Sequence, residues 1–306
     1  MTRATPPPII VTDQPGDTDN EVKTFGIEGM DVRGRAVRLG TAAEQIITAH
    51  DYPTPVAVLV GELLALTSLL GSILKFRGIL TVQAKGDGAV PLLVADFASP
   101  GALRGYAQVD RARLAELDDH PSFKELVGTG HLAMTIDQGA DMERYQGIVD
   151  LDGGSLAECA KSYFLKSEQT PTEVRLAAGR DAVSGHWRVG GIMVQHLAHG
   201  EEGGPRILDR EQEEAWRRAS VLMASVRFDE LVDPQLDLNR LLFRLYHEDG
   251  VRVFDAQAVS RGCRCSEQRI ANVLDSFPKE DLADMAEDGK LKVTCEFCNR
   301  TFEFDA

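Results

Sequence analysis

The sequence has little positive charge for its length. Its 306 residues include 33 lysines and arginines against 48 aspartates and glutamates, which gives a formal net charge of −15 at pH 7. A surface of this sign repels the phosphates of nucleic acids and of anionic membranes. We therefore expect neither a nucleic acid nor a membrane as a partner.

The N-terminus has no apolar core of the kind that a secretory signal needs. Residues 1–30 are instead rich in proline, acids and glycine, which predicts a flexible arm ahead of the first strand. Because there is no export signal, we expect a cytoplasmic and reducing location. In such a compartment clustered cysteines indicate metal or redox chemistry more often than structural disulfides.

One long apolar run, PTPVAVLVGELLALTSLLGSILKF, contains almost no charge. Between Asp51 and Lys75 its only charged residue is Glu62, and its length approaches that of a membrane span. A central acid costs about 2.5 to 3.5 kcal/mol on insertion scales, and interspersed glycine, serine and threonine lower the hydrophobicity further. We interpret the run as a core helix from about Pro55 to Lys75.

Signatures of common catalytic machinery are missing from the sequence. There is no phosphate-binding loop with its lysine, so ATP use is not indicated. There is also no nucleophile elbow of the hydrolase type. We therefore expect that the protein is not an enzyme.

The patterns that are present predict an α+β fold: an antiparallel-rich sheet domain with helices, a helical linker and a small C-terminal domain. Two strand-like runs meet at Gly86-Asp87-Gly88, a strong hairpin signal. The stretch HGEEGGP then precedes two segments with helical spacing of apolar residues. We predict a core domain over residues 31–200, a linker over 201–250 and the small domain over 251–306.

Cysteine is scarce, yet four of the five cysteines lie near the C-terminus. One residue separates Cys263 from Cys265, and two residues separate Cys295 from Cys298. Thiolates are soft ligands, and two close pairs are the usual way for a chain to reach the four corners of a structural zinc site. We predict that these four residues bind one Zn²⁺ and that residues 251–306 form a small C-terminal zinc-binding domain. Cys159, on a helix-like segment, is interpreted as a small buried hydrophobic residue.

A redox pair of the thioredoxin type is the alternative for Cys295-Glu-Phe-Cys298. That chemistry places the first cysteine at a helix N-terminus, where the dipole lowers its pKa. The residues after Cys298 favour a strand instead, and the Cys-x-Cys pair would have no explanation. The metal site is therefore favoured.

The tail is too small to fold unaided. A unit of about fifty residues has little apolar core, whereas structural zinc contributes about 10 to 16 kcal/mol of apparent folding free energy. Alternate residues of an extended chain lie about 6.5 to 7 Å apart, at or beyond the range of a disulfide, so Cys263 and Cys265 cannot oxidise to each other in their metal-binding geometry. We predict that oxidation of the cysteines unfolds the tail and exposes whatever surface the tail covers, so that residues 251–306 act as a redox sensor.

At this point the sequence resembles the 33 kDa chaperonin family, the redox-regulated heat-shock holdases of bacteria. The resemblance covers nearly the whole chain, and HGEEGGP and a long N-terminal arm are departures from it. It depends first on Cys263-Arg-Cys265-Ser and Cys295-Glu-Phe-Cys298-Asn. Shorter matches, none of them specific alone, are Leu242–Glu248, Tyr163–Thr172, Tyr145-Gln146-Gly147, Arg104-Gly105-Tyr106 and Gly190-Gly191 with Gln195.

The resemblance implies an ATP-independent chaperone that is inactive while reduced and zinc-bound. Under oxidants such as peroxide it implies the disulfides Cys263–Cys265 and Cys295–Cys298, loss of zinc and unfolding of the linker. The exposed surface then binds unfolding client proteins, and oxidised members tend to form homodimers. From the residues alone, apolar linker faces that lose their cover should bind other apolar surfaces.

Two alternatives from other functional classes remain open at this stage. A zinc-ribbon nucleic-acid binder requires clustered basic side chains, but Arg261, Arg264 and Arg300 are balanced by nearby acids. An enzyme with a purely structural zinc tail requires a pocket with convergent polar groups, and the sequence indicates none.

Overall fold

A computed structural model of the chain describes residues 19–74, 77–139, 142–197, 210–287 and 289–305. In chain order the elements are β1 (Glu21–Ile27), β2 (Val32–Leu39), α1 (Thr41–Ile47), α2 (Thr54–Gly71), β3 (Ile79–Gly86), β4 (Leu92–Ala98), β5 (Ala102–Gln108), α3 (Arg111–Leu114), α4 (Phe123–Val127), β6 (Gly130–Asp137), β7 (Tyr145–Asp150), α5 (Leu156–Lys166), β8 (Thr172–Arg180), β9 (Trp187–His196), α6 (Arg210–Ala224), α7 (Phe228–Val232), α8 (Leu238–Tyr246), β10 (Val251–Val253), β11 (Gln257–Ala258), β12 (Ser260–Arg261), α9 (Glu267–Leu274), α10 (Lys279–Met285), β13 (Lys290–Thr294) and β14 (Thr301–Asp305). The predicted α+β class is confirmed.

The strands form two large sheets and one hairpin. Sheet A has the order β10-β1-β2-β9-β8, with β11 also pairing with β1, and sheet B has the order β12-β5-β4-β3-β6-β7. Strands β13 and β14 pair only with each other in the described part of the chain. Every pairing is antiparallel except that of β12 with β5. The predicted turn at Gly86-Asp87-Gly88 leads from β3 towards β4.

Helix α2 lies between sheets A and B and forms the centre of the core. It packs against strands of both sheets, among them β8, β9, β4 and β5. Pro55 fits the first turn because an N–H at that position needs no helical partner. By length and composition the helix is apolar enough to cross a membrane, but 78% of it is buried inside the protein. The predicted core helix is therefore confirmed, and it is apolar on all sides because a sheet lies on each side of it.

Strand β9 separates two hydrophobic cores because successive side chains of a strand point to opposite faces. Val189 and Met193 belong to the larger core, together with α2. Ile192 and Val194 belong to a second core on the other face of sheet A. A strand buried on both faces contains a continuous run of apolar and small residues, as Val189–Val194 does here.

The linker helices α6, α7 and α8 cover the outer face of sheet A. On α8, Leu238, Leu241, Leu242 and Leu245 follow the spacing of one helix face and are all buried. The second core consists of buried residues of sheet A and of these helices: Phe25, Ile27, Val32, Ala36, Ala177, Ile192, Val194, Ala219, Met223, Val226, Leu231, Leu238, Leu241, Leu242, Leu245, Tyr246 and Val251. The apolar linker faces and the sheet thus shield each other from water.

Two buried arginines fix the linker to sheet A. The Arg38 side chain donates hydrogen bonds to the carbonyls of Leu236 and Glu230, and Arg188 Nε donates to the Val232 carbonyl at 2.8 Å. Burial lowers the pKa of Arg38 to about 10, with a further contribution from the neighbouring Arg188. Both cations meet carbonyl groups at and beyond the C-terminal end of α7, where a helix leaves such groups without helical partners.

A glycine allows the backbone of α7 to approach sheet A closely. A Cβ atom added to Gly190 would lie 2.1 Å from the carbonyl oxygen of Leu231. The neighbouring Gly191 faces α2 instead, where an added Cβ would lie 3.2 Å from the nearest side-chain atoms. The Gly190-Gly191 motif therefore serves both faces of β9, and its first residue determines how closely the linker packs.

The predicted flexible arm is wrong for part of its length. Glu21–Ile27 forms β1, an inner strand of sheet A that pairs with β2 and also with β10 and β11. The sequence of this strand contains polar residues and a glycine, but Val22, Phe25 and Ile27 are buried. Residues 1–18 of the predicted arm and the HGEEGGP stretch lie outside the described residues.

Tyr163 and Phe164, at the start of the Tyr163–Thr172 stretch, lie in helix α5. Tyr163 is buried. Its hydroxyl group donates to Glu168 Oε1 at 2.9 Å.

The beginning of the predicted zinc domain is part of the core sheets. Strands β10 and β11 pair with β1 of sheet A, and β12 pairs with β5 of sheet B. These strands have only two or three residues each, too few for a recognisable pattern. The tail is thus tied to both large sheets before its first cysteine.

Burial of Glu62 on α2 predicts a pH dependence of stability. Desolvation raises the pKa of Glu62 to about 7, whereas its ordinary value is 4.5. Between these two values the folded state retains a proton that the unfolded chain releases. The stability that this proton contributes is lost as the pH rises through about 7. Between about pH 5 and pH 8 the Glu62 contribution to the free energy of unfolding should fall by about 3 kcal/mol.

In a Glu62→Gln variant this fall in the free energy of unfolding between pH 5 and pH 8 should be absent. Glu116→Gln, at an exposed position, is the matched control. Denaturant unfolding at both pH values measures it, because comparison with the unchanged chain cancels the other titrating groups. The same pH difference in Glu62→Gln and the unchanged chain would contradict the prediction.

Candidate metal centre

The four tail cysteines meet at one point although their two halves are far apart in the sequence. Cys263 and Cys265 follow β12, whereas Cys295 and Cys298 form the turn between β13 and β14. All four Sγ atoms lie within 4.8 Å of one another. The Cys263–Cys295 Sγ distance is 3.7 Å and the Cys265–Cys298 distance is 3.4 Å. The structure thus brings together all four residues that their spacing singled out.

Both ends of the Cys-x-Cys segment are fixed by backbone interactions. At one end, Gly262 N donates to the Leu103 carbonyl of β5 at 2.8 Å. At the other, the Ser266 hydroxyl caps α9 by accepting from Arg269 N at 3.2 Å. The Arg269 side chain also donates to the Arg264 carbonyl, between the cysteines, at 2.6 Å. The segment is therefore held between sheet B and the start of a helix.

The Cys-x-x-Cys half is a tight turn between two strands. Cys295 N donates to the Arg300 carbonyl at 2.9 Å, and Asn299 N donates to the Cys295 carbonyl at 2.8 Å. Asn299 has a φ of 57°, a left-handed conformation that asparagine tolerates better than most residues. Strand β14, not a helix, begins at Thr301. The thioredoxin-type alternative therefore lacks the helix N-terminus that it requires.

The sulfur geometry fits a tetrahedral metal ion. Four thiolates at about 2.3 Å from a zinc ion lie about 3.8 Å from one another, close to the distances observed. All four cysteines are free thiols in this structure. Four sulfurs this close cannot all ionise unless a cation compensates their charge. The donor set is the one that soft divalent metals prefer.

The thiols have unequal acidities in the absence of a metal. Burial tends to raise the pKa of Cys263, but a hydrogen bond from the Cys265 backbone and contacts with the other thiols lower it to about 7. Burial and the neighbouring sulfurs raise the pKa of Cys265. Burial also raises the pKa of Cys295.

The described part of the tail beyond Gly262 has almost no core of its own. Leu291 and Phe302 are its only buried apolar side chains among residues 263–278, 280–282, 284–287 and 289–305, and neither belongs to the two large clusters. Helix α9 has no buried residue. The sulfur cluster is therefore the principal cross-link between its two halves.

Cys159 is separate from this cluster. It lies in α5, where its side chain is buried in the larger core, and burial raises the pKa of its thiol. Its interpretation as a small buried hydrophobic residue is confirmed.

Sequence reasoning missed the two arginines that hold the linker, Arg38 and Arg188, and named Gly190 only as part of a family motif. A signal was present in VRGRAVRLG, because a strand that is otherwise apolar or small carries arginines. An arginine in a strand buried on both faces needs an internal partner. The partners are backbone carbonyls of the linker, which no sequence pattern marks.

Comparison with known proteins agrees with the fold and the cysteine cluster. A family model described as Hsp33 protein matches residues 20–305. The 33 kDa chaperonin of Caulobacter vibrioides is 47% identical over 296 residues, which are 95% of this chain and 96% of that protein. The 33 kDa chaperonin of Pseudomonas fluorescens is 39% identical over 300 residues, 97% and 93% of the two chains.

A solved structure gives the same result for the fold. The crystal structure of the 33 kDa chaperonin (heat shock protein 33 homolog) from Thermotoga maritima matches 94% of this chain and 95% of its own, with a TM-score of 0.76 and 23% identity. The extent of the family match and the identity to curated relatives together show that the chain belongs to the Hsp33 protein family.

Proposed function

We propose that this protein is a redox-regulated, ATP-independent holdase chaperone that binds unfolding proteins under oxidative stress. Family membership supports a chaperone. A single observation supports the regulation. The tail is held together by its cysteines and has no core of its own, and it is joined to the helices that cover an apolar face of sheet A. Opening the cluster would remove the support of that cover.

Cys263, Cys265, Cys295 and Cys298 would hold one Zn²⁺ in the reduced state. Their separations support this assignment, and the donor set selects soft metals over Mg²⁺ or Ca²⁺. Bound as a tetrathiolate, zinc would supply a cross-link that substitutes for the missing apolar core of the tail.

Oxidation of the four thiolates would remove these ligands. Each pair of thiolates gives two electrons to one molecule of peroxide and forms one S–S bond, and two protons complete two molecules of water. Following the family resemblance, we assign the products as Cys263–Cys265 and Cys295–Cys298. The Cys263–Cys295 and Cys265–Cys298 Sγ pairs, which join the two halves, also lie close together at 3.7 and 3.4 Å. Since all four sulfurs lie within 4.8 Å, peptide mapping without reduction is needed to distinguish the two pairings.

Loss of the cross-link would loosen the cover of sheet A. Tail strands β10 and β11 extend sheet A directly after the linker. Unfolding of the tail would therefore destabilise the C-terminal end of α8. Removal of α6, α7 and α8 would expose Phe25, Ile27 and Val194, together with the apolar faces of the helices themselves. Large exposed apolar surfaces bind other apolar surfaces, which is the property that a holdase needs.

The proposal assigns each segment a task. The core domain over residues 31–200, extended by β1, carries the sheet; the linker over 201–250 covers it; and residues 251–306 form the redox sensor. Unfolding proteins are the partners, and the exposed surface would also favour homodimers of the oxidised chain. A cytoplasmic location is proposed because free thiols at this site require a reducing environment.

Metal binding can be measured with Co²⁺, whose spectrum reports tetrahedral thiolate coordination. We expect one ion per reduced chain, with release of thiol protons on binding. Cys298→Ser should weaken binding by more than the 10- to 100-fold that is typical when a group merely supporting a ligand is removed. Cys159→Ser is the matched control and should bind as the unchanged chain does. Full affinity in Cys298→Ser would contradict the assignment.

The switch is tested by following zinc release and aggregation of a heat-sensitive client before and after peroxide. Reduced protein should not protect the client, and protection should appear together with zinc release. Equal protection in both states, or protection with zinc still bound, would refute the redox mechanism. The Cys159→Ser variant should respond normally, because its thiol is not in the cluster.

The role of the linker is tested without touching a cysteine. In Gly190→Ala the new methyl group clashes with the Leu231 carbonyl. At a cost of about 1 to 3 kcal/mol, the open population rises about 5- to 150-fold. The reduced variant should keep its zinc, bind an apolar dye and protect clients without oxidant.

Gly179→Ala on the adjacent strand β8 is the control, because an added Cβ meets no atom within 4 Å there. Circular dichroism verifies that both variants are folded. A folded, zinc-bound Gly190→Ala protein that still needs peroxide for activity would separate the linker from the client-binding surface.

A further inference from the structure

The metal centre lies against sheet B through residues enclosed between its cysteines. Arg264 stands between Cys263 and Cys265, and Phe297 stands within the Cys295–Cys298 turn. Neither side chain belongs to the sulfur cluster. Both contact residues of β4 or β5, which lie far from the linker-covered face of sheet A.

Asp96 on β4 is the partner of Arg264. Its side chain is 5% exposed and lies 2.5 Å from Arg264 Nη2 and 2.6 Å from Arg104 Nη2. It also accepts a hydrogen bond from the Thr81 hydroxyl at 2.6 Å. A buried carboxylate is tolerated where cations and hydrogen bonds surround it. One of the two cations that surround this carboxylate comes from the tail.

Phe297 makes the second contact. Arg104 Cζ lies 3.8 Å from the centroid of the Phe297 ring, and the ring of Tyr106 lies 6.2 Å away, centroid to centroid. Arg104 therefore binds Asp96 through its N–H groups and covers Phe297 with its planar face. A guanidinium is suited to both contacts at once because it is flat and carries several donors.

We infer that Arg264 and Phe297, with Asp96, Arg104 and Tyr106, form a dock that holds the metal centre on sheet B and sets how easily the tail is released. Each docking residue from the tail is flanked by two of the cysteines, so the two face sheet B together only while the four sulfurs are held at one point. The regulatory role of the dock rests on the proposed function, whereas its existence as an interface does not.

The dock is tested in the reduced, zinc-loaded full-length chain with Phe297→Ala and, separately, Arg264→Gln. The control Phe277→Ala removes the same ring from a position of the tail that is 45% exposed. Metal content, hydrogen exchange and the rate of peroxide activation are measured for all three. The amide of Gly262, which bonds to Leu103 of β5, reports docking.

Both dock variants should keep one zinc ion per chain. Loss of the aromatic contact should reduce protection of the Gly262 amide about 3- to 30-fold, and peroxide activation should accelerate by a similar factor. Phe277→Ala should match the unchanged chain in all measurements.

Unchanged protection with zinc retained in both variants would overturn the dock. Loss of zinc in both would also overturn it, since these residues would then belong to the metal site itself. If protection falls in the variants but peroxide activates no form of the protein, the dock stands and the proposed function fails.

Discussion

The arrangement of this protein depends on four sulfur atoms held within 4.8 Å of one another. They join two short segments of a tail in which only Leu291 and Phe302 are buried among the described apolar residues beyond Gly262. Apolar burial of this extent cannot offset the conformational entropy of the tail. Its order therefore depends on the contacts among these four cysteines more than on apolar packing.

The linker differs from the tail because it has a genuine core. In its described residues, 210–250, nine side chains are buried against sheet A or one another, namely Ala219, Met223, Val226, Leu231, Leu238, Leu241, Leu242, Leu245 and Tyr246. Arg38 and Arg188 add hydrogen bonds to its backbone. The linker is therefore held by apolar packing, whereas the described tail beyond Gly262 is not.

Local signals made part of this structure predictable. The buried helix α2, the turn at Gly86-Asp87-Gly88 and the four cysteines are each visible within a short stretch of sequence. Strand β1 was missed because its other edge pairs with β10 and β11, which come from a distant part of the chain. The contacts of Arg264 and Phe297 were missed for a similar reason, since two ordinary surface residue types gain their partners only through tertiary folding.

The two-faced character of β9 limits how its length can change during evolution. Odd-numbered residues such as Val189 face α2, and even-numbered residues such as Arg188 and Ile192 face the linker. Insertion or deletion of a single residue within the strand would exchange the two sets from that point onward and turn side chains such as Ile192 away from the core that they fill. Related chains should therefore vary in length at the ends of this strand and not within it.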